Sequence, residues 1–347
     1  MRTFPGVPAP RVLIGIVGFG LGIVALWLRI IVLPRRPRDA ETPQPRRVPQ
    51  GNAAPRPDGA GLRIVVNPSS GPALRASPLA TLRDGLPSAD VHELAEGDDL
   101  LALLRDPRFT AVGAAGGDGT LAAAASVALE RDALLVAVPA GTLNHLARDL
   151  GLSSAEDAIA AVRAGYAARI DVGTIGERIF VNTLSFGGYS PVVDRRERLE
   201  PRLGKWPALL VALIRELPRM EPLRLTIDGE PVKVWLAWVG NGAYSPPGLA
   251  PAWRESLDDG LLDVRIVDGA KRFSKTRFAC AALTGRLSTC GVYREEWAES
   301  VKISSLDGPL RMASDGETFD GPERFTIEKR RSALLVALPP PDPTPDR

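Results

Sequence analysis

The sequence predicts an α/β N-terminal domain on a Rossmann-like parallel sheet, followed by a mainly antiparallel β domain and preceded by one transmembrane helix. Three observations predict this order. An apolar run fills residues 12–33, apolar strand patterns alternate with helix patterns over residues 62–168, and strand patterns with turns dominate residues 169–322. In a parallel sheet that is covered on both faces, each strand is a continuous apolar run in the sequence. The strand patterns of the first domain are runs of this kind.

The run "VLIGIVGFGLGIVALWLRIIVL" at residues 12–33 predicts a membrane-spanning helix after a short tail at residues 1–11. At about 1.5 Å per residue, a helix of this length crosses a hydrocarbon layer of about 30 Å. A secretory signal peptide is the alternative. It fits less well, because "PRRPR" follows the run where a cleavage site needs small residues.

Arginines flank the apolar run unevenly, since two precede it and five follow it within residues 34–47. The positive-inside rule therefore predicts a single-pass protein of the plasma (inner) membrane with its long C-terminal part in the cytoplasm. Residues 34–61 are rich in Pro and Arg and predict a disordered linker whose arginines contact the anionic membrane surface. Gly18 and Gly22 form a GxxxG pair, which leaves a homodimer open.

The composition argues against several classes of protein. The net charge is only +2, so overall charge does not favour nucleic acid as a partner. Cys280 and Cys290 form no CxxC pair, which indicates a reducing compartment and no structural zinc. His92 and His145 are the only histidines, which excludes a multi-histidine metal centre.

Three predicted strands of the first domain end in turns rich in Gly, Pro, Ser and Thr. These turns are Asn67–Gly71, Gly116–Thr120 and Pro139–Asn144. The carboxyl ends of parallel strands meet at one edge of a sheet, and glycine-rich turns that open helices present backbone N–H groups to anions. The sequence therefore predicts a phosphate site at this edge.

Two familiar phosphate motifs fit this chain poorly. The chain has no GxxxxGK[ST] loop. The stretch "GDGTLA" at residues 117–122 matches G-x-G-x-x-A, but a dinucleotide site also needs an acidic residue after the next strand to bind the ribose. Pro139-Ala-Gly-Thr stands there instead, which disfavours an NAD(P)-dependent oxidoreductase.

The motifs "GGDGT" (residues 116–120) and "PAGTLNHLARDLGL" (residues 139–152) together resemble the catalytic domain of diacylglycerol kinases and related lipid kinases. NAD kinases and phosphofructokinases share the first motif more distantly, whereas the second is similar to the P-x-G-T-x-N-D-x-A-R-x-L-G pattern of the lipid group. The resemblance continues in the family's order through "IDVG", "FVNTLSFG", "RLGKW", "VGNG", "DDGLLDV" and "SDGE". It covers residues 62–339.

This resemblance implies an ATP-dependent kinase with a cleft between two domains. The nucleotide-binding domain is expected at residues 62–168, completed by residues 323–338, and the acceptor domain at residues 169–322. Residues 339–347 are expected to be a disordered tail.

Asp118 is implied to be a catalytic residue beside the ATP phosphates. A carboxylate repels a triphosphate, but Mg²⁺ between them turns the repulsion into attraction. The alternative is that Asp118 only caps the following helix. The residues implied for nucleotide binding are Asn67, Ser69, Gly116, Gly117, Asp118, Gly119, Thr120, Gly141, Thr142, Asn144 and Glu317.

Asp315, in the Asp-Gly-Glu stretch, matches the family's catalytic base, which takes the proton of the acceptor hydroxyl. Glu317 is expected to orient a group or to bind Mg²⁺. A surface β-turn is the alternative reading, since Asp-Gly is common in hairpins. Asp228 begins a second Asp-Gly-Glu, which the flanking alternating residues predict to be such a hairpin turn.

Asp259 matches a magnesium position of bacterial relatives, in which carbonyl groups, here those of Ser256 and Leu261, also contribute. An ordinary hairpin turn is the alternative.

The sequence departs from the family at His145, where an aspartate usually follows the asparagine, and at Ser245–Gly248, where a glycine run is common.

Three functions remain open. The leading expectation is a membrane-anchored, ATP- and Mg²⁺-dependent kinase whose acceptor is a membrane lipid, diacylglycerol giving phosphatidic acid. The alternatives are a soluble-substrate kinase of the NAD kinase superfamily and a non-enzymatic lipid-binding relative.

Overall fold

The computed structural model describes the chain from the end of the linker to the end of the last strand, with gaps. The described residues are 54–70, 77–187, 195–196, 198–199, 202–203, 205–216, 220–245, 248, 253–254, 256–284 and 286–340. The predicted membrane helix at residues 12–33 and the linker up to residue 53 lie outside them. Within the described part, no helix is both long and apolar enough to cross a membrane.

Four parallel strands form the sheet of the first domain, in the order β2–β1–β3–β4. They are β1 (Leu62–Val66), β2 (Asp90–Glu93), β3 (Ala111–Gly116) and β4 (Leu134–Pro139). Every residue of β1, β3 and β4 is buried, as expected for strands covered on both faces. The helices of this domain are α1 (Leu79–Gly85), α2 (Leu100–Leu104), α3 (Asp118–Glu130), α4 (His145–Asp149) and α5 (Ala155–Ala164).

Small residues let α3 pack closely on the sheet. Three of its five buried side chains are alanines, and the other two are Leu121 and Val127. Helix α5 begins at a capping box between Ser154 and Asp157 and ends at Gly165, which adopts the left-handed conformation that favours glycine. The alanines thus set how closely α3 packs, and the capping signals set where α5 begins and ends.

The second domain is built from antiparallel strands. They are β5 (Ala167–Ile175), β6 (Arg178–Phe180), β7 (Thr183–Phe186), β8 (Leu223–Ile227), β9 (Glu230–Asn241), β10 (Tyr244–Ser245), β11 (Trp253–Arg254), β12 (Leu262–Asp268), β13 (Tyr293–Ala298), β14 (Ser300–Ser305), β15 (Leu310–Ser314) and β16 (Glu317–Gly321). Helices α6 (Lys205–Glu216) and α7 (Ser274–Thr284) lie between strands in the chain. The predicted order, a parallel α/β domain followed by an antiparallel β domain, is confirmed.

The last strand, β17 (Arg324–Ala337), joins the two domains. It pairs antiparallel with β14 and β5, and near its end Val336 pairs parallel with Leu135 of β4. The register with β5 shifts between Arg330 and Leu334, where Ser332 has a φ of 46°. As a result, fifteen of the described strands form one hydrogen-bonded sheet rather than two separate ones.

Each domain has its own apolar core. The first core lies around β1, β3, β4 and α3, and it includes Leu334 and Val336 of β17. The second core lies among the antiparallel strands and includes Phe180, Phe186 and Ile327. Strand β17 therefore contributes to both cores, which fixes the relative position of the two domains.

We expect Leu334→Ala to destabilise the protein by about 2–5 kcal/mol, because Leu334 is fully buried in the first core and its removal leaves a cavity. Leu306→Ala is the matched control, since Leu306 is 58% exposed and should change stability by less than about 0.5 kcal/mol. Urea unfolding of both variants measures the difference. Equal stabilities would contradict the structural role of β17.

Candidate active site

Asp118 is the first residue of α3, at the carboxyl end of β3. Its Oδ1 accepts a hydrogen bond from the backbone N–H of His145 at 2.8 Å, and Asn182 Nδ2 lies 3.5 Å from the same oxygen. Both of these contacts reach other elements, so Asp118 joins the first turn of α3 to the turn before α4. The family's aspartate is replaced by His145, but the N–H used here belongs to the backbone and does not depend on that side chain.

The turns after β3 and β4 touch through their glycines. A Cβ added at Gly141 would lie 2.4 Å from Gly117 Cα, so only glycine permits this approach. Asn144 holds the second turn, because its Oδ1 accepts from Gly141 N at 2.8 Å and its Nδ2 donates to Gly141 O at 2.9 Å. Thr142 is exposed at the tip of this turn.

The turn after β1 joins the same edge. Asn67 Nδ2 donates to Thr120 Oγ1 at 3.1 Å, and Asn67 Oδ1 accepts from the N–H of exposed Ser69 at 3.0 Å. The side chain of Thr120 packs against Gly116, where an added Cβ would lie only 2.5 Å away. The structure thus brings the three predicted turns together at one edge of the parallel sheet.

Asp315 lies in the turn between β15 and β16 and is 5% exposed. Its carboxylate accepts three backbone hydrogen bonds, from Val181 at 2.8 Å and from Asn182 and Thr183 at 2.9 Å each. Burial raises the pKa of Asp315 to about 6; the three N–H donors oppose this rise, and the nearby Asp118 carboxylate adds to it. A carboxyl group tuned in this way can accept a proton near neutral pH.

The Asp315 turn lies against the glycine-rich turn. A Cβ added at Gly119 would lie 3.6 Å from Glu317 Oε1 and 3.7 Å from Asp315 O. The Glu317 side chain therefore lies against the turn that also carries Asp118. Carboxylate oxygens are ligands that Mg²⁺ prefers, so this pair fits a nucleotide-bound Mg²⁺.

Sequence reasoning missed Asn182, which links the two predicted catalytic aspartates. Its side chain faces Asp118, and its backbone N–H donates to Asp315. It is 3% exposed and its Oδ1 lies 3.4 Å from Arg254 Nη2. The motif "FVNTLSFG" contains this asparagine and was the available signal.

Arg254 was also missed, and it joins the domains at the base of the site. Its fully buried guanidinium donates to Asp149 Oδ2 of the first domain at 2.7 Å. It also donates to the carbonyls of Val181 at 2.6 Å and Asn241 at 3.1 Å in the second domain. No pattern in the sequence around Arg254 signals these contacts.

Asp228 begins the turn between β8 and β9, with a φ of 51°, and its Oδ1 accepts from Lys302 N at 2.9 Å. The second Asp-Gly-Glu is thus a hairpin turn, as the alternating residues predict.

The expected magnesium site at Asp259 stays a prediction, and the structure places a lysine beside it. Both oxygens of Asp259 accept backbone hydrogen bonds, from Leu261 at 2.9 Å and Ala243 at 2.8 Å. The Ser256 carbonyl oxygen and Asp259 Oδ2 would both lie 3.3 Å from a Cβ added at Gly242. The Lys329 Nζ atom lies 3.4 Å from Asp259 Oδ1. Among the described residues, no group of three or more His, Cys, Asp or Glu side chains is placed to hold a metal.

A cleft of about 730 Å³ opens beside Asp315 and Glu317. One wall is the exposed side of α3, and the other is formed by the β5–β6 turn and β16. Leu129, Ile179 and Phe319 line it together with three arginines and four acidic residues, which are Arg105, Arg178, Arg330, Glu130, Glu177, Asp315 and Glu317. This mixture fits a molecule with both apolar and polar parts.

Known families match both domains. The diacylglycerol kinase catalytic domain matches residues 61–175, and the YegS C-terminal NAD kinase beta sandwich-like domain matches residues 185–337. A diacylglycerol kinase of Mycobacterium tuberculosis is 32% identical over 234 residues, which cover 61% of this chain and 74% of the relative. This chain belongs to the diacylglycerol kinase family of lipid kinases.

Other members of the family match over a longer stretch. A protein of Enterobacter sp. (strain 638) named "Probable lipid kinase YegS-like" is 28% identical over 301 residues, covering 81% of this chain and 97% of that protein. A crystal structure of a diacylglycerol kinase from Bacillus anthracis str. Sterne has a TM-score of 0.55 and 18% identity, and the match covers 80% of this chain and 97% of that one. This last likeness shows that the fold is shared.

We expect Gly141→Ala to weaken ATP binding about tenfold, because the added Cβ separates the two glycine turns and removes at least one charge-assisted hydrogen bond worth about 1.5 kcal/mol. Gly291→Ala is the matched control, since its Cβ meets only the end of the Arg277 side chain at 3.2 Å. Isothermal titration with ATP measures both dissociation constants. Unchanged affinity in Gly141→Ala would remove this turn from the nucleotide site.

Proposed function

We propose that the chain transfers the γ-phosphate of ATP to the hydroxyl of diacylglycerol, giving phosphatidic acid. The observation that carries this proposal is the meeting of the Asp118 and Asp315 turns across the domain boundary, with Asn182 bonded to both. Phosphoryl transfer to an alcohol needs a phosphate cradle, a divalent cation and a carboxylate that takes the hydroxyl proton. Mycobacterial and YegS-like relatives named as diacylglycerol or lipid kinases support the same substrate class.

In this mechanism, the turns that follow β1, β3 and β4 present their N–H groups to the phosphates of ATP. Asp118 and Glu317 would hold the Mg²⁺ that accompanies ATP, and this ion would supply positive charge to offset the negative charge that develops during transfer. The acceptor hydroxyl oxygen bonds to the γ-phosphorus as the bond from that phosphorus to the bridging oxygen breaks, and ADP leaves with that oxygen. The hydroxyl proton passes to Asp315 Oδ2, which accepts only one backbone N–H.

Asp315 is held in position for this proton transfer rather than free to rotate. Three N–H donors fix its carboxylate plane, and its burial excludes bulk water from the proton acceptor. A positioned base of this kind typically contributes about 10²–10⁴-fold to the rate.

The cleft beside Asp315 is the proposed approach of the acceptor. Its apolar side chains suit the acyl chains of diacylglycerol next to the glycerol, and Arg178 suits a neighbouring anionic headgroup or a phosphate oxygen.

Membrane anchoring is part of the proposal. Residues 12–33 span the plasma membrane, and the arginines of residues 34–61 hold the cytoplasmic catalytic domains near an anionic surface. The lipid acceptor is found at that surface, so anchoring raises its local concentration. A homodimer through Gly18 and Gly22 stays a separate proposal.

A soluble-substrate kinase is the second candidate. The description of the C-terminal match as NAD kinase-like favours it. The lipid-type PxGTxN turn and the apolar N-terminal run weigh against it.

A panel of acceptors in mixed micelles tests the function. We expect labelled phosphate to pass from ATP to diacylglycerol in preference to monoacylglycerol, ceramide, sphingosine, undecaprenol and NAD. Asp315→Asn should reduce this transfer by about 10²–10⁴-fold, because the amide cannot take the proton. Asp228→Asn is the matched control, since it changes the other Asp-Gly-Glu at a hairpin turn and should leave the rate unchanged.

Each other outcome of this panel has a definite meaning. Transfer to a different lipid would identify that lipid, and not diacylglycerol, as the acceptor. Transfer to NAD alone would favour the soluble-substrate kinase. Transfer that survives Asp315→Asn would remove Asp315 as the base. ATP binding with no transfer to any acceptor would favour a non-enzymatic lipid-binding protein.

The rate should depend on pH through Asp315. Its pKa is raised to about 6, so its basic form is lost as pH falls through that value. We expect kcat/KM for the lipid to rise with pH and to level off above about pH 7, with about a tenth of the maximum near pH 5. A flat profile across this range, measured with Asp228→Asn alongside, would exclude a base of this pKa.

A further inference from the structure

Lys329 is a charged side chain enclosed between two carboxylates. It lies in β17, and its side chain is 1% exposed. Its Nζ atom is 3.4 Å from Asp259 Oδ1 and 3.8 Å from Asp171 Oδ2, which makes it an ion-pair partner of both. Among the described residues, no acceptor meets hydrogen-bond geometry with this nitrogen, so its attraction to both carboxylates is through charge.

Backbone N–H groups already hold the two carboxylates. Asp171 accepts from Ser332 N at 2.7 Å and from Gly260 N at 2.8 Å. Asp259 accepts from Leu261 N and from Ala243 N. Each of the four carboxylate oxygens thus has one N–H donor, and the remaining charge of the pair faces Lys329.

The charges around this site leave little place for a divalent cation. A metal on Asp259 would lie within a few ångströms of the Lys329 ammonium and would be repelled by it. The Arg331 side chain packs on the same turn, because an atom at the Cβ position of Gly260 would lie 2.4 Å from Arg331 Cζ. Arg331 also pairs with Glu299 at 2.5 Å, which offsets its charge.

We infer that the Lys329 ammonium is the cation of this site and takes the place of the divalent metal that the resemblance implies at Asp259. The turn at residues 256–261 is then held by a side chain of β17 and needs no bound metal. The inference is separate from the proposed acceptor and from the Mg²⁺ that accompanies ATP.

Lys329 is a positioning residue, because a short series of hydrogen bonds connects its partner Asp171 to Asp315. The Asp171 backbone carbonyl accepts from Asn241 Nδ2 at 2.9 Å, and the same Nδ2 donates to Val181 O at 3.0 Å. The N–H of Val181 in turn binds Asp315. Removing the ammonium leaves the buried Asp171 and the half-buried Asp259 carboxylates without this counter-charge, and Asp171 is linked to the segment that holds the base.

Thermal unfolding of the full chain in detergent micelles, without nucleotide, tests this inference. Tryptophan fluorescence follows the midpoint in EDTA and in excess MgCl₂ for wild type, Lys329→Ala and Lys302→Ala. Lys302 is the matched control, since it is an exposed lysine of the same sheet. We expect the same midpoint for wild type in both buffers, and for Lys329→Ala a midpoint about 10 °C lower in EDTA that MgCl₂ partly restores.

Two results would overturn the inference. One is a Lys329→Ala midpoint equal to those of wild type and Lys302→Ala. The other is a wild-type midpoint that rises in MgCl₂ and loses that rise in Asp259→Asn, because a metal would then bind at Asp259.

A direct count of bound Mn²⁺ decides the case if Lys329→Ala does not fold. Electron paramagnetic resonance of wild type and Asp259→Asn counts the bound ions. Equal stoichiometry supports Lys329 as the cation, and one fewer ion in Asp259→Asn overturns it.

Discussion

The Arg254 guanidinium joins the two domains, and the geometry of the candidate site depends on it. It binds Asp149 of the first domain and the Val181 and Asn241 carbonyls of the second, with no exposure to water. Breaking a buried pair by removing one partner costs about 3–5 kcal/mol, because the other charge is left without compensation. The strand connection at residues 181–183 is thereby fixed, and its N–H groups hold Asp315.

Two sets of hydrogen bonds, one in each domain, hold the candidate site. Asn182 contacts both sets, through Asp118 and through Asp315. On the first-domain side, glycines allow the turns after β3 and β4 to touch, and Asn144 holds one of them. On the second-domain side, the connection between β6 and β7 supplies three donors to one buried carboxylate. Electrostatic preorganisation of this kind lets a phosphoryl-transfer enzyme function with few catalytic side chains, since transfer requires mainly positioning and charge neutralisation.

The sequence predicted the parts of the site that depend on local signals. Asp118 and Thr120 follow a buried strand in a glycine-rich turn, so their neighbourhood could be read from adjacent residues. Asp315 begins an Asp-Gly turn like that of Asp228, and only the resemblance implied its place in the site. Arg254 could not be predicted, because its partner Asp149 is 105 positions away in the chain. In the sequence, Lys329 looks like an ordinary residue of a strand with alternating polar and apolar residues. Its contact with Asp259 exists only in the folded protein. The resemblance led us to expect that residues 323–338 complete the first domain, but no local signal shows the pairing of β17 with β4, because it rests on long-range contact.

The most direct test of the central claim is the position of the γ-phosphate in a crystal structure with Mg²⁺ and a non-hydrolysable ATP analogue. We expect the phosphates to lie within hydrogen-bond distance of the N–H groups of residues 117–120, with the γ-phosphorus facing the Asp315 carboxylate and Mg²⁺ between Asp118 and Glu317. Phosphates bound away from the glycine turns, or a γ-phosphate on the far side of the domain boundary from Asp315, would contradict it.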